Sequence, residues 1–369
     1  QSKMRVPFID LRRQFASLRN DILPVTEKIM AEGNFTLGAE LEQFEKDFAN
    51  FCGKRYCVGV ANGTDAIELA LWAYGINSGE VISVANTFIA SVTPASRLGL
   101  NPVLVDAHDE TNNIDVDKIK KAITPKTKAI IPVDLYGQSA DMDPILEIAD
   151  DNNLFVIEDA CQAHGAKYKG KTVPVAETGC FSFYPGKNLG AFGEGGAVVT
   201  DNEDVAEKVK MLRHHGQKEK NVHAVRGVNS RLHNMQAAIL GIKLRHLSEW
   251  NKKRRKSAAI YNEGLKDVVK IPKEASYAEH VYHLYVVETE KRDKLQEYLK
   301  QKGIATGIHY PIPIHLQPAY NHLGYKEGSF PVAESKSKMI LSLPMFPEIK
   351  EEEVNYVINT IKGFFTKSP

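Results

Sequence analysis

Between residues 55 and 245 short apolar runs alternate with segments of helical spacing. YCVGVA (56–61) is apolar and rich in β-formers; NGTDAIELALWAYG (62–75) then carries a helical apolar pattern and ends on Gly75. The theme repeats as strand EVISVA (80–85), a helix over FIASVTPASRLG closing at Gly99, and strand PVLVD (102–106). A helix from about Asp115, strand AIIPVDLYG (129–137), a helix after Asp141 and strand LFVIED (154–159) follow. Strands that are apolar throughout are buried on both faces, and their alternation with helices predicts an α/β domain with a mostly parallel sheet, assigned to residues 1–245.

Beyond residue 246 the texture changes. Helical patterns at 248–265 and 292–303 flank a strand at VYHLYVVET (281–289), and EEEVNYVINTIKGFF (351–365) closes the chain. This predicts a smaller α+β domain over 246–369. The basic run KKRRK (252–256) sits among Trp250, Ala258, Ala259 and Tyr261 at helical spacing, so it reads as a solvated helix face rather than a nucleic-acid patch.

Composition narrows the possible partners. The 369 residues, 43% hydrophobic and 25% charged, suffice for more than one packed unit. With 47 basic and 46 acidic side chains the formal charge is +1, and no strong field draws the chain to nucleic acid or an anionic membrane. The expected ligand is small. Cys52, Cys57, Cys161 and Cys180 fit neither a zinc knuckle nor a CxxC pair, which predicts reduced thiols in a cytoplasmic protein. No run approaches the ~20 apolar residues of a membrane span. No basic-then-apolar leader opens the sequence, and Gln1-Ser2-Lys3 ahead of Met4 reads as an expression remnant.

In open parallel sheets ligands lie beyond the carboxyl ends of the strands, so the polar residues there carry the chemistry. Asn62-Gly63-Thr64 leads into a helix and is either a phosphate seat or a plain helix start capped by Thr64 or Asp65. Asp159 ends a strand of buried character and is either a carboxylate in want of a cation or a solvent-facing strand end. Lys187, in FSFYPGKNLG (181–190), is either a solvated turn residue or a reactive amine. If the three strands are parallel neighbours, one crevice holds a phosphate seat, a carboxylate and a lysine. Pyridoxal phosphate (PLP) needs all three: donors for its phosphate, an anion for its pyridine nitrogen, and an amine for its aldehyde.

Competing motifs fail. Phe181 and Asn188 break a P-loop around Gly186-Lys187, and FGEGG (192–196) precedes a strand where a dinucleotide fingerprint requires a helix. HExxH and GxSxG are missing, and the pairs His214/His215 and His280/His283 have no further ligand at metal spacing, so no metal is expected.

FSFYPGKNLGAFGEGGAVVT, EDACQAHG, ANGTDAIELAL, GVNSRLHNMQAAIL and HYPIPIHLQ together resemble, in content and in their order along the chain, the PLP-dependent aminotransferases of nucleotide-linked ketosugars (DegT/StrS type) over nearly the whole chain. The resemblance implies the aspartate-aminotransferase type fold (PLP fold type I) and a homodimer with shared active sites. It implies that Lys187 holds the cofactor aldehyde, Asp159 faces the pyridine nitrogen, Gln162 contacts the ring or its phenolic oxygen, and Phe88 stacks on the ring. Gly63, Thr64 and Ser182 would bind the phosphate, with Asn229 reaching that of the neighbouring subunit. Tyr184, His309 and Tyr310 are candidates for touching the hexose, and Arg231 for clamping the carboxylate of L-glutamate. YPGKNLGA is similar to members that aminate C3 of dTDP-linked 3-keto-6-deoxyhexoses, with amination at C4 of a dTDP- or UDP-sugar, or a non-catalytic PLP-fold regulatory or binding protein, as the alternatives. A lysine rather than a histidine at 187 argues against the related dehydratases.

Overall fold

The computed structural model describes residues 4–367; Gln1, Ser2 and Lys3, read above as a remnant, lie outside the described residues. Seven strands form one sheet in the order Tyr56–Val60, Gly196–Thr200, Thr178–Ser182, Phe155–Asp159, Thr127–Ile130, Glu80–Val84, Asn101–Val105. Gly196–Thr200 runs antiparallel to both neighbours, and the other pairings are parallel.

Alternation along the strands supplies two apolar faces. Val58, Val60, Cys180 and Val198 pack under the helices Gly63–Ala73 and Glu203–Leu212. Cys57, Phe181, Ala197 and Val199 pack with Leu41, Phe44 and Phe48 of the helix Ala39–Cys52 and with Leu240 of the helix Asn234–Leu265. All four cysteines are free. Among the described residues no helix is long and apolar enough to cross a membrane.

Several elements differ from the sequence reading. The strand 56–60 is not a neighbour of 155–159 or 178–182, because 196–200 intervenes. The expected helix 88–99 is a 3-10 turn, Ile89–Ser91, followed by the helix Thr93–Arg97, with Pro94 in its first turn, where no N–H is required. The strand 129–137 is Thr127–Ile130, and 135–137 form a turn with Tyr136 at φ 61°. The helices Leu11–Glu32 and Ala39–Cys52 went unread.

In the C-terminal part, Tyr285–Glu288 pairs antiparallel with Ile340–Leu343, and the helices Arg292–Gln301 and Glu351–Lys367 supply Leu295, Leu299, Val357 and Ile361 to a separate core. Val6 joins that core and bridges Ile304. The 32-residue helix Asn234–Leu265 runs unbroken through positions 245 and 246. Its basic run is not wholly solvated: Arg254 is buried, and its Nη1 donates to the carbonyls of Tyr282, His283 and Met345. Those carbonyls stand in for water around a guanidinium that burial pulls down to about 10.

Candidate active site

Because six of the seven strands point the same way, their carboxyl ends share one edge of the sheet, and a cavity of about 890 Å³ opens there. Ten of the twelve residues singled out from sequence line it: Gly63, Thr64, Phe88, Asp159, Gln162, Ser182, Tyr184, Lys187, His309 and Tyr310. Asn229 and Arg231 do not. Asn229 is exposed and bridges His214 through its backbone, and Arg231 Nη1 donates to His214 Nδ1 at 2.9 Å.

At the first strand end the helix begins at Gly63, and its cap is Asn62 rather than Thr64 or Asp65: Asn62 Oδ1 accepts from Asp65 N–H at 2.8 Å. The N–H groups of Gly63 and Thr64 are therefore left without partners in the described chain, as a helix start leaves them. Glycine at 63 is a steric need, since a Cβ there would stand 2.8 Å from Ser182 Cβ and 2.9 Å from Cys161 Sγ. Gly196 has the same character, as its Cβ would meet the Asn62 carbonyl carbon at 2.3 Å. The antiparallel strand can thus pass directly behind the seat. Two N–H groups, the Thr64 hydroxyl and the positive end of an 11-residue helix make a seat for a phosphate.

At the second, the Asp159 side chain is held from both sides. Ser91 Oγ donates to Oδ2 at 2.6 Å, Thr87 Oγ1 lies 2.9 Å from Ser91 Oγ, and Cys161 N–H donates to Oδ1 at 3.2 Å. Sequence reading missed Ser91 and Thr87, because a continuous helix over 88–99 offers no reason to aim either hydroxyl at this carboxylate. Three residues after Asp159, Gln162 Oε1 accepts from Tyr136 N–H at 2.8 Å, which fixes the amide orientation, and Nε2 donates to Tyr310 Oη at 3.0 Å.

The third strand end delivers the lysine. Lys187 N–H closes a turn on Tyr184 O at 2.9 Å. The loop is pinned by Asn188, whose Nδ2 donates to Asn251 Oδ1 and to the Val281 carbonyl. Lys187 Nζ makes no hydrogen bond or ion pair among the described residues and lines the cavity. Desolvation holds its ammonium below the ordinary lysine value, partly offset by Cys161 and Asp159. His164, unassigned before, is fully buried and donates from Nε2 to Ser182 O at 2.8 Å, fixing the strand end from which Ser182 faces the seat.

The remaining wall is aromatic. Phe88 is 50% exposed and Tyr184 55%, so both offer apolar faces to a ligand. Phe88 and Tyr310 have ring centroids 5.3 Å apart. His309 Nδ1 lies 2.8 Å from Ser342 Oγ, and burial, with Lys187 nearby, pulls the imidazole down to about 4, leaving it neutral. Tyr310 is pushed up to about 12 by burial, so it keeps its proton.

A free amine, a carboxylate fixed by two donors and an unfilled helix start on one cavity fit the aldehyde, ring nitrogen and phosphate of PLP. The tight approach of Gly63 to Ser182 and Cys161 gives the phosphate end its floor.

Comparison with known proteins agrees. The chain is 48% identical to a pleiotropic regulatory protein of Geobacillus stearothermophilus, over 98% of this chain and 99% of that one. It is 45% identical to the dTDP-3-amino-3,6-dideoxy-alpha-D-galactopyranose transaminase of Aneurinibacillus thermoaerophilus, over 97% and 99%. The X-ray structure of Streptomyces venezuelae DesV superposes with a TM-score of 0.96 at 44% identity, covering 98% of both chains. The profile of the DegT/DnrJ/EryC1/StrS aminotransferases matches residues 16–362, and such enzymes work with PLP. With that match spanning every residue singled out for the site, the chain belongs to the DegT/DnrJ/EryC1/StrS aminotransferase family and is a PLP-dependent nucleotide-sugar transaminase.

Proposed function

We propose that this transaminase moves the amino group of L-glutamate to C3 of a dTDP-linked 3-keto-6-deoxyhexose, as a cytoplasmic homodimer. The observation that carries the reading is the unpaired Lys187 Nζ facing the same cavity as Asp159 and the helix start at Gly63. The choice of C3 and of dTDP draws on the Aneurinibacillus relative, whose name specifies a dTDP-3-amino sugar. A relative from Acidithiobacillus ferrooxidans, 42% identical over 97% of both chains, is named a UDP-N-acetyl-3-dehydro-alpha-D-glucosamine 3-aminotransferase, and makes UDP the competing nucleotide.

PLP, when bound, supplies the carbonyl that accepts nitrogen from one partner and passes it to the other, and the ring that takes up the electron pair between. The chain's own residues do the rest. Gly63, Thr64 and Ser182 hold the phosphate, with Asn229 reaching across the dimer to the partner's site. Asp159, steadied by Ser91, keeps the ring nitrogen protonated and the ring a strong electron acceptor. Phe88 covers the ring, and Gln162 offers an N–H to its phenolic oxygen. Lys187 Nζ would take the proton from the glutamate Cα and return one to C3 of the sugar. Acid–base assistance of this type is worth ~10²–10⁴-fold. Tyr184, His309 and Tyr310 orient the hexose, and Arg231, which lies outside its own chain's cavity, would donate to the glutamate carboxylate only from across the dimer, as Asn229 would to the phosphate.

The test is product structure. Incubation with L-glutamate and dTDP-3-keto-6-deoxyhexose should give one equivalent of 2-oxoglutarate per amino sugar, with nitrogen on C3 by NMR. Nitrogen on C4 from a 4-keto substrate, with the 3-keto sugar untouched, replaces this reading with the C4 one. Turnover of UDP-sugars alone overturns the nucleotide.

A further inference from the structure

Directly behind Asp159 lie two carboxyl groups with no role in the account above. Glu158 precedes Asp159 in the strand Phe155–Asp159, so its side chain points to the opposite face of the sheet. Asp134 N–H donates to Asp159 O at 3.0 Å, tying its loop to the same strand end. Both side chains are fully buried.

Their hydrogen bonding is incomplete in a specific way. Glu158 Oε2 accepts from Val175 N–H at 2.6 Å and Ala176 N–H at 2.8 Å, and Asp134 Oδ1 accepts from Ala140 N–H at 2.9 Å. The other two oxygens, Glu158 Oε1 and Asp134 Oδ2, meet no donor, yet the two side chains lie within hydrogen-bonding reach of each other. Two ionised carboxylates are acceptors only, so a bond between them requires a proton. Among the described residues no cation pairs with either carboxyl: Lys54, whose charge is felt at Glu158, directs Nζ to Ala176 O at 2.7 Å and Asp201 Oδ2 at 3.1 Å. The neighbouring Asp159 adds a further carboxylate.

We infer that Asp134 and Glu158 share one proton, seated on Asp134 Oδ2, and that the single negative charge they retain is a positioning device for Asp159. The proton rests on Asp134 because two N–H donors hold Glu158 as the anion, against one for Asp134. Burial, and then the charge of Glu158, push the Asp134 carboxyl well above the usual range. An anion fixed beneath the strand end strengthens the hold of Asp159 on a protonated ring nitrogen. That second half rests on the assignment of Asp159 as the ring's partner; the proton does not.

The amide variants discriminate. In D134N an N–H replaces the O–H and the charge is kept. In D134N/E158Q two amide groups face each other and the charge is lost. Difference infrared spectra of the cofactor-free full-length protein at neutral pH should show the carbonyl band of one un-ionised carboxylic acid, absent from D134N. The apparent Tm of D134N should stay within about 2 °C of the parent, while the double variant falls by roughly 5 °C or more. In the holoprotein the double variant should titrate its cofactor absorbance at lower pH than the parent. A parent spectrum without that band overturns the shared proton. A band with an unshifted absorbance titration in the double variant overturns the positioning role. Failure of borohydride to fix PLP at Lys187 would instead remove the cofactor-site assignment and leave the proton standing.

Discussion

Gly63→Ala puts the geometry of the phosphate seat to the test. The added Cβ would lie 2.8 Å from Ser182 Cβ, 2.9 Å from Cys161 Sγ and 3.2 Å from Ser182 Cα. Carbon atoms rest at about 3.5–4.0 Å, so the overlap is roughly 0.3 Å or more at each contact. Ser182 cannot retreat: its strand is paired with Gly196–Thr200, and its carbonyl is held by His164. The start of the helix moves instead, and carries the free N–H groups of Gly63 and Thr64 off their aim. Loss of one hydrogen bond to a charged group costs about 1.5–3 kcal/mol, which predicts PLP binding weaker by roughly 10- to 150-fold. Alanine is otherwise welcome in a helix, so the folded apoprotein should survive. The assay is titration of apoprotein with PLP followed by absorbance. Gly241→Ala is the control, since nothing lies within 4 Å of a Cβ there; it should leave PLP affinity unchanged. A G63A protein that binds PLP as tightly as the parent refutes the phosphate seat.

Three further predictions follow from the site and its surroundings. Lys187→Ala should lower turnover by at least ~10²–10⁴-fold and abolish the pyridoxyl label that borohydride leaves on the peptide containing residue 187; retained multiple turnover counts against it. Ser91→Ala removes the 2.6 Å hydroxyl from Asp159 and should weaken PLP retention or turnover by roughly tenfold or more, read from kcat and PLP affinity; unchanged values of both would place the carboxylate elsewhere. Burial holds His164 and His280 at about 3, His309 at about 4 and His283 well below the ordinary value. The unfolded chain therefore binds protons first as pH falls from about 6.5, so stability is full above that pH and declines toward pH 4, by up to about 1.4 kcal/mol per pH unit for each histidine. The raised carboxyl of Asp134 works in the opposite sense, by one proton. Thermal melts between about pH 7.5 and 5 should show a falling Tm, and a flat profile would contradict the neutral buried imidazoles.

The sequence was informative where chemistry and local backbone coincide. Gly63, Asp159 and Lys187 each follow a run of β-formers, and parallel strands bring such positions to one edge whatever their order. The order itself was not legible: nothing in AVVT says that its strand inserts antiparallel between 56–60 and 178–182. Ser91 was hidden because the apolar pattern of 88–99 reads as one helix, whereas Pro94 restarts it and leaves Ser91 in a 3-10 turn. Arg254 was misread for a related reason: a basic run on a helix covers more than one face, and only the position of the 282–283 and 345 carbonyls decides which member is buried. Asp134 and Glu158 gave no signal, as their meeting depends on a loop-to-strand contact.

The direction of the hydrogen bonds around Gln162 carries the argument from cofactor to sugar. Tyr136 N–H is a backbone donor, so the Gln162 atom that meets it must be the carbonyl oxygen. The amide nitrogen then faces Tyr310, whose hydroxyl accepts at 3.0 Å. Burial keeps that phenol protonated, up to about 12, so its own O–H remains to be donated. Tyr136 Oη, meanwhile, donates to the His309 carbonyl, which ties the turn holding Gln162 to the segment that carries Tyr310. On the proposed reading the cavity offers a sugar a hydroxyl that is free to give a hydrogen bond, beside a histidine that is neutral. On that same reading a carbonyl oxygen on the hexose would satisfy the donor, and its position relative to Lys187 would determine which carbon receives nitrogen.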